Sequence, residues 1–223
     1  MPDTLDALLD RALALLPADP GRAVLGVTGS PGAGKTTLAA ALAARADAAL
    51  GGSDAEPRAV HVPMDGFHLA NATLDRLGLR GRKGAPETFD GWGFLALLRR
   101  LRAETRHTVY APGFDRTVDE GVAGAVTVLP GARLVVVEGN YLLLGEEPWV
   151  HVRHELDEVW FCDTAETERL RRLVDRHRAG GRSPEAARAW ARDVDGANAV
   201  LVEAGRERAD LVVPPVRLDD PGT

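Results

Sequence analysis

The sequence predicts an α/β fold: a doubly wound, mostly parallel sheet with helices on both faces, a small hairpin and a helical arginine lid. Three observations carry that prediction. Residues 133–137 form a short β-branched run without polar alternation, as a strand buried on both faces of a parallel sheet does. Strand-like runs alternate with helical stretches throughout, each crossover being long enough for a right-handed βαβ unit. The chain has 223 residues and is 45% hydrophobic, enough for one substantial core with helices on both sides of a sheet. The expected organisation is therefore a single domain over residues 1–223.

Each element has its own signal. Residues 1–17 read as an amphipathic helix, with leucines at 5, 8, 9, 13 and 16 on one stripe and Pro17 ending it. Acids alternate with those leucines, so the segment does not read as a signal peptide, and no apolar run approaches membrane-spanning length. Residues 23–27 make an apolar strand that enters a glycine-rich loop, and the loop passes at once into an alanine- and leucine-rich helix from about Lys35. After a polar connection at 51–57, residues 59–63 form a second strand. It delivers Met64, Asp65, Gly66, Phe67 and His68 to the carboxyl edge of the sheet, where open α/β sheets bind ligands.

Residues 71–90 read as a short helix followed by a substrate-facing loop, and 93–104 as a helix with Phe94, Leu97, Leu98 and Leu101 on one face. A strand at 107–110, a turn-rich stretch and a β-type run at 125–129 suggest a small hairpin off the main sheet. The buried strand at 133–137 ends in Glu138, Gly139 and Asn140. Another at 158–162 ends in Asp163 and Thr164, one of which is expected to cap a helix at 165–179. A helix over 184–204 and a last strand at 209–213 complete the pattern.

Composition excludes several classes of function. A net charge of -6 and a pI near 5.5 argue against a nucleic-acid surface, which needs clustered Lys and Arg, and favour small-molecule chemistry. The single cysteine, Cys162, precludes an internal disulfide or a cysteine-based zinc cluster and points to a reducing, cytoplasmic setting. The histidines show no zinc-ligand spacing.

The chemistry begins at Gly29, Gly34, Lys35 and Thr36, which fit G-x-x-x-x-G-K-[ST] in a strand, loop, helix context. A polyphosphate needs several backbone N–H groups converging on it, which requires positive φ and therefore glycine. The helix start adds its dipole and unpaired amides. Gly29, Ser30, Gly32, Ala33, Gly34, Lys35, Thr36 and Thr37 are thus the candidate nucleotide-binding residues, with Lys35 reaching the β/γ-phosphates and the Thr36 hydroxyl placed for Mg²⁺. Asp65, directly after a strand, could accept the proton of an attacking hydroxyl. Glu138 ends the buried strand near the loop, from which an acid reaches Mg²⁺. Arg169, Arg172 and Arg176 share a helix face, and Arg178 and Arg182 flank a glycine pair that could hinge. Such a lid, residues 165–183, could neutralise charge in the transition state.

Taken together, GSPGAGKT, PMDGFH, RKGAPETFD, VVVEGNYLLL and RLRRLVDRHRAGGRS resemble the uridine kinase, phosphoribulokinase and bacterial pantothenate kinase superfamily of P-loop kinases. The resemblance runs from residue 24 to about 213. It implies ATP and Mg²⁺ as cofactors and transfer of a phosphoryl group to a hydroxyl of a small polar acceptor. It implies Asp65 as the base, also near the metal, and Glu138 as the Mg²⁺-associated glutamate, with Arg172, Arg176, Arg178 and Arg182 in the lid. His68, Phe89, Asp90, Tyr110, Arg116 and Asn140 fall where acceptor contacts are expected. Arg82 and Lys83, in the loop before Asp90, could read an acidic or phosphorylated acceptor.

The chain departs from uridine kinases at the hairpin, which reads YAPGFDR, and this leaves the acceptor open. A nucleoside is the first expectation; pantothenate or a sugar is the alternative. A nucleotide-hydrolysing switch acting with a protein partner is the rival from another class, although no guanine-specifying N-K-x-D is present. A homodimer is common in the resembled family.

Overall fold

The computed structural model describes residues 4–18 and 21–216. Five strands form one parallel sheet in the order β2, β5, β1, β6, β7: β1 (Ala23–Thr28), β2 (Ala59–Pro63), β5 (Leu134–Glu138), β6 (Glu158–Cys162) and β7 (Leu211–Val213). All residues of β1 and β5 are buried. Both faces are covered, and the pleat sends alternate residues into two apolar layers. Val24, Val135 and Val137 join Phe94, Leu98, Trp149 and Phe161 on one side; Leu25, Val27 and Val136 join Leu38, Leu42 and Trp160 on the other.

The helices are α1 (Leu5–Ala14), α2 (Lys35–Ala49), α3 (Asn71–Leu77), α4 (Gly91–Ala103), α5 (Glu166–Ala179), α6 (Pro184–Trp190) and α7 (Gly196–Glu203). Helix α1 buries Leu5, Leu8 and Ala12, and a Thr4 side chain caps its start. No helix among the described residues is long and apolar enough to cross a membrane. The strand order reverses at β1, which has β5 on one side and β6 on the other. The carboxyl ends of β1 and β5 therefore open a crevice, with Val27 in register with Glu138 and Glu138 in turn with Pro63 of β2.

Three local expectations are corrected. The hairpin is longer than expected, with β3 at Val109–Asp115 and β4 at Glu120–Val128, so residues read as turn-rich belong to strand. The ladder tolerates Pro112 because its register shifts there, between Ala111 and Gly113, and a bulge does not require its N–H. The chain reverses only at 116–119, where Asp119 adopts φ 57°. Second, neither Asp163 nor Thr164 caps α5. Ala165 occupies that position, while Thr164 and Asp163 bond elsewhere. Third, the helix expected over 184–204 is interrupted by a π-helical turn at Ala191–Asp195 between α6 and α7.

Candidate active site

The loop between β1 and α2 takes its shape from three glycines in positive φ: Gly29 at 144°, Gly32 at 80° and Gly34 at 92°. Space as well as dihedral demands glycine at Gly32, where a Cβ would stand 2.8 Å from the Arg169 carbonyl oxygen of α5. Four successive carbonyls of the loop each receive a side-chain donor. Lys35 Nζ reaches Ser30 O at 3.3 Å, Arg169 Nη1 reaches Pro31 O at 3.3 Å, Arg172 Nη1 reaches Gly32 O at 3.4 Å and Thr164 Oγ1 reaches Ala33 O at 2.9 Å. A trans peptide holds its N–H opposite its C=O. Anchoring Pro31 O and Ala33 O therefore also fixes the direction of the Gly32 and Gly34 N–H groups. Buried Ser30 adds a further tie, donating its hydroxyl to Glu203 Oε1 at 2.5 Å.

Lys35 is buried, and burial pulls its pKa down against the opposing pull of Glu138 and Asp65. Glu138 is 4% exposed at the end of β5. Burial pushes its carboxyl upward, but His61, Lys35 and Thr36 outweigh that and hold it below the ordinary carboxylate value. The His61 influence is electrostatic: Nε2 stands 3.8 Å from Glu138 Oε2, beyond hydrogen-bond reach, and has no hydrogen-bond partner among the described residues.

A cleft of about 820 Å³ runs from Lys35, Thr36 and Glu138, past Asp65, to an aromatic end. Asp65 lies in a 3₁₀ turn (Met64–Phe67) directly after β2, and its backbone oxygen bonds His68 Nδ1 at 2.8 Å. The His68 ring lies 3.9 Å from that of Phe89 and 4.9 Å from that of Phe114. Burial lowers the pKa of His68, so its neutral form is favoured. Phe89 rests edge-on against Tyr141 and Trp149, which fixes the aromatic wall. A smaller cavity of about 230 Å³ opens on the other side of the start of α2, lined by Ala33, Gly34, Thr37, Cys162, Arg172 and the stretch 213–216.

The expected site residues divide by position. Gly32, Lys35, Thr36, Asp65, His68, Lys83, Phe89, Arg116, Glu138, Asn140, Arg176 and Arg182 line the cleft. Four others do not. Arg82 pairs with Glu87 at 2.8 Å on the surface. Asp90 faces solvent and caps α4, accepting from Gly93 N at 2.8 Å. Tyr110 is 59% exposed, because alternation on β3 turns it to the opposite face from buried Val109 and Ala111. Arg178 is exposed and does not line the cleft, although its neighbours His177 and Ala179 do. Lys83 does line the cleft, but its charge is engaged: Nζ reaches Asn71 Oδ1 and Asp119 Oδ2, each at 2.8 Å, and also Asp119 O.

The cleft also includes residues that the sequence reading did not single out. Arg80, pairing with Asp75 at 3.3 Å, lines it. His177 of α5 bonds Asp195 Oδ2 at 2.6 Å, and Arg182 stacks 3.9 Å above the Trp190 ring. Asp195 and Asn198 are buried and come from the π-turn and α7.

No protein-family model matches the chain. A Schizosaccharomyces pombe protein provisionally named a uridine kinase is 33% identical over 220 residues, spanning 96% of this chain and 91% of that protein. The chain belongs to the P-loop kinases of the uridine kinase and pantothenate kinase family. An ATP-dependent kinase-like protein of Aspergillus versicolor is 40% identical over 133 residues, covering 56% of this chain and 77% of that one. The crystal structure of a Silicibacter kinase, provisionally assigned to a fructose transport system, superposes with a TM-score of 0.84 at 42% identity, over 95% of this chain and 99% of that one. Membership in this P-loop kinase family makes the chain an ATP-dependent small-molecule phosphotransferase.

Proposed function

We propose that this kinase transfers the γ-phosphoryl group of ATP to a hydroxyl of a small polar acceptor, with Mg²⁺ as the accompanying ion. The observation that carries the reading is the continuity of the cleft: Asp65 stands between a phosphate-handling end and an aromatic end within one volume. At about 820 Å³ the volume exceeds what a phosphate tail fills and falls in the usual range for a small-molecule site. The smaller cavity beside Thr37 would take the base of the donor nucleotide.

The residues fit Mg²⁺. Thr36 supplies a hydroxyl beside the carboxylate of Glu138, and Asp65 adds a second carboxylate across the cleft, all hard oxygen donors. Among the described residues no three His, Cys, Asp or Glu side chains cluster as a closed cage, as suits an ion completed by water and phosphate oxygens. When bound, the ion would supply positive charge against the charge of the transferring phosphoryl group.

In the proposed transfer the acceptor oxygen attacks the γ-phosphorus, the bond from that phosphorus to the β–γ bridging oxygen breaks, and the acceptor proton passes to the Asp65 carboxylate. Lys35 holds the phosphates. Arg176 and Arg182 approach from the lid side, and His68 and Phe89 form the wall that keeps water from the acceptor.

The nucleoside expectation loses two of its contacts, since Asp90 caps a helix and Tyr110 faces solvent. That favours a sugar as the second reading, and the 42%-identical neighbour named for a fructose system supports it. An ADP-release assay over nucleosides, pantothenate, free sugars and sugar phosphates tests both. Acceptor-stimulated release with a sugar or nucleoside is the expected result. ATP hydrolysis indifferent to every acceptor would instead favour the nucleotide switch.

A further inference from the structure

Behind the phosphate loop stands a buried guanidinium that no acid among the described residues pairs with. Arg169, in the first turn of α5, is 8% exposed. Nη1 donates to the Pro31 carbonyl at 3.3 Å, and Nε is buried without a partner. Its helix neighbours Arg171 and Arg172 both pair with Glu168 at 2.7 and 2.8 Å, whereas Arg169 makes no ion pair among the described residues. Guanidinium groups keep their charge in proteins, and a charge withdrawn from water without a counter-charge is costly to the fold. A residue retained on those terms implies a partner that arrives later.

The placement says which partner. A Cβ on Gly32 would stand 2.8 Å from Arg169 O and 3.1 Å from Leu173 Cγ, so α5 lies directly against the loop. The charge therefore sits behind peptide units whose opposite edges face the cleft. Binding the Pro31 oxygen draws the negative end of that peptide dipole away from the cleft and leaves the Gly32 N–H on the cleft side.

We propose that Arg169 is a positioning residue whose counter-charge is the polyphosphate held by the loop: it fixes the Pro31 carbonyl outward, and its buried charge is balanced only when phosphate is bound. This rests on the reading of the cleft as the ATP site, and it sets Arg169 apart from Arg176 and Arg182, which line the cleft themselves.

The test measures thermal unfolding of wild type and Arg169→Met, together with calorimetric titration of each with ADP, a non-hydrolysable ATP analogue and adenosine. The nucleotide-free Arg169→Met protein should melt at or above the wild-type temperature. ADP and the ATP analogue should both bind it about 10- to 100-fold more weakly, and adenosine about equally. Should that variant not fold, Arg169→Gln, which keeps a donor for Pro31 without the charge, carries the same two readouts. A lower melting temperature with unchanged nucleotide affinities would reduce Arg169 to packing. A loss confined to the ATP analogue would make it a direct γ-phosphate contact. Either result overturns the proposal. Wild type that binds neither nucleotide would instead remove the ATP-site reading, and this proposal with it.

Discussion

At the end of the cleft proposed to hold the donor, Lys35 and Thr36 follow their glycines along one continuous loop, and a single strand end, Glu138, completes the set. The end proposed to hold the acceptor is assembled from the loop after α3, the tip of a hairpin and the helices after the lid, contributing Arg80, Phe114, Asp195 and Asn198. The donor end uses backbone amides whose directions are pinned by buried side chains, whereas the acceptor end uses side chains held by pairwise ties such as Lys83 to Asp119. Affinity for a phosphate tail, common to a whole family, can rest on rigid backbone. The part proposed to distinguish acceptors is drawn from separate segments of the chain.

Substitutions can sharpen or break that contrast. The largest effect is expected for Lys35→Met, which should lower turnover by ~10³-fold in a steady-state assay, since it removes a preorganised charge from the transferring group. Asp65→Asn stands at the junction and should lower turnover by ~10²-fold or more while calorimetry finds ATP affinity nearly intact; unchanged turnover would remove Asp65 from the proton-accepting role. Phe114→Ala should act at the acceptor end alone, raising KM for the acceptor by about 10-fold with KM for ATP unchanged. Equal effects on both would mean that the two ends are not separable.

Acid sensitivity should also trace to the acceptor end. Burial holds His68 below its ordinary value of 6.5, so below that pH the unfolded chain takes up a proton that the folded chain resists. Stability should therefore fall as pH drops below about 6.5. His68→Gln should flatten that fall in melting curves recorded across the range. Asp90→Ala, by contrast, should cost about 1 kcal/mol of stability through loss of a helix cap and leave acceptor KM untouched. The smallest effect is expected for Tyr110→Ala, within about 0.5 kcal/mol and without kinetic consequence.

The sequence exposed the donor end because its chemistry is contiguous: positive-φ glycines, the lysine and the hydroxyl must be neighbours to converge on one phosphate. Asp65 and Glu138 were readable for a related reason, since each ends a strand and strand ends meet at one edge of a parallel sheet. Asp90 and Tyr110 were read from a resemblance, which gives position along the chain but not the direction of a side chain. A local cap claimed the first, and strand alternation turned out the second. Trp190, Asp195 and Asn198 left no periodic trace, because the π-helical turn at Ala191–Asp195 breaks the 3.6-residue repeat by which a helix face is recognised, and His177 reaches them from a separate helix, α5.

That turn has a consequence for how this family could change its acceptor. An α-helix advances about 100° per residue, so a single inserted or deleted residue swings everything downstream to another side. A π-helical turn between α-helical segments, with its i→i+5 hydrogen bonds, takes up one more residue than an α-helical turn. Deleting one residue within 191–195 would rotate Asn198 out of the cleft while leaving the phosphate loop untouched. One-codon length changes here, more readily than substitutions around Lys35, offer a route by which a kinase of this kind acquires a new substrate.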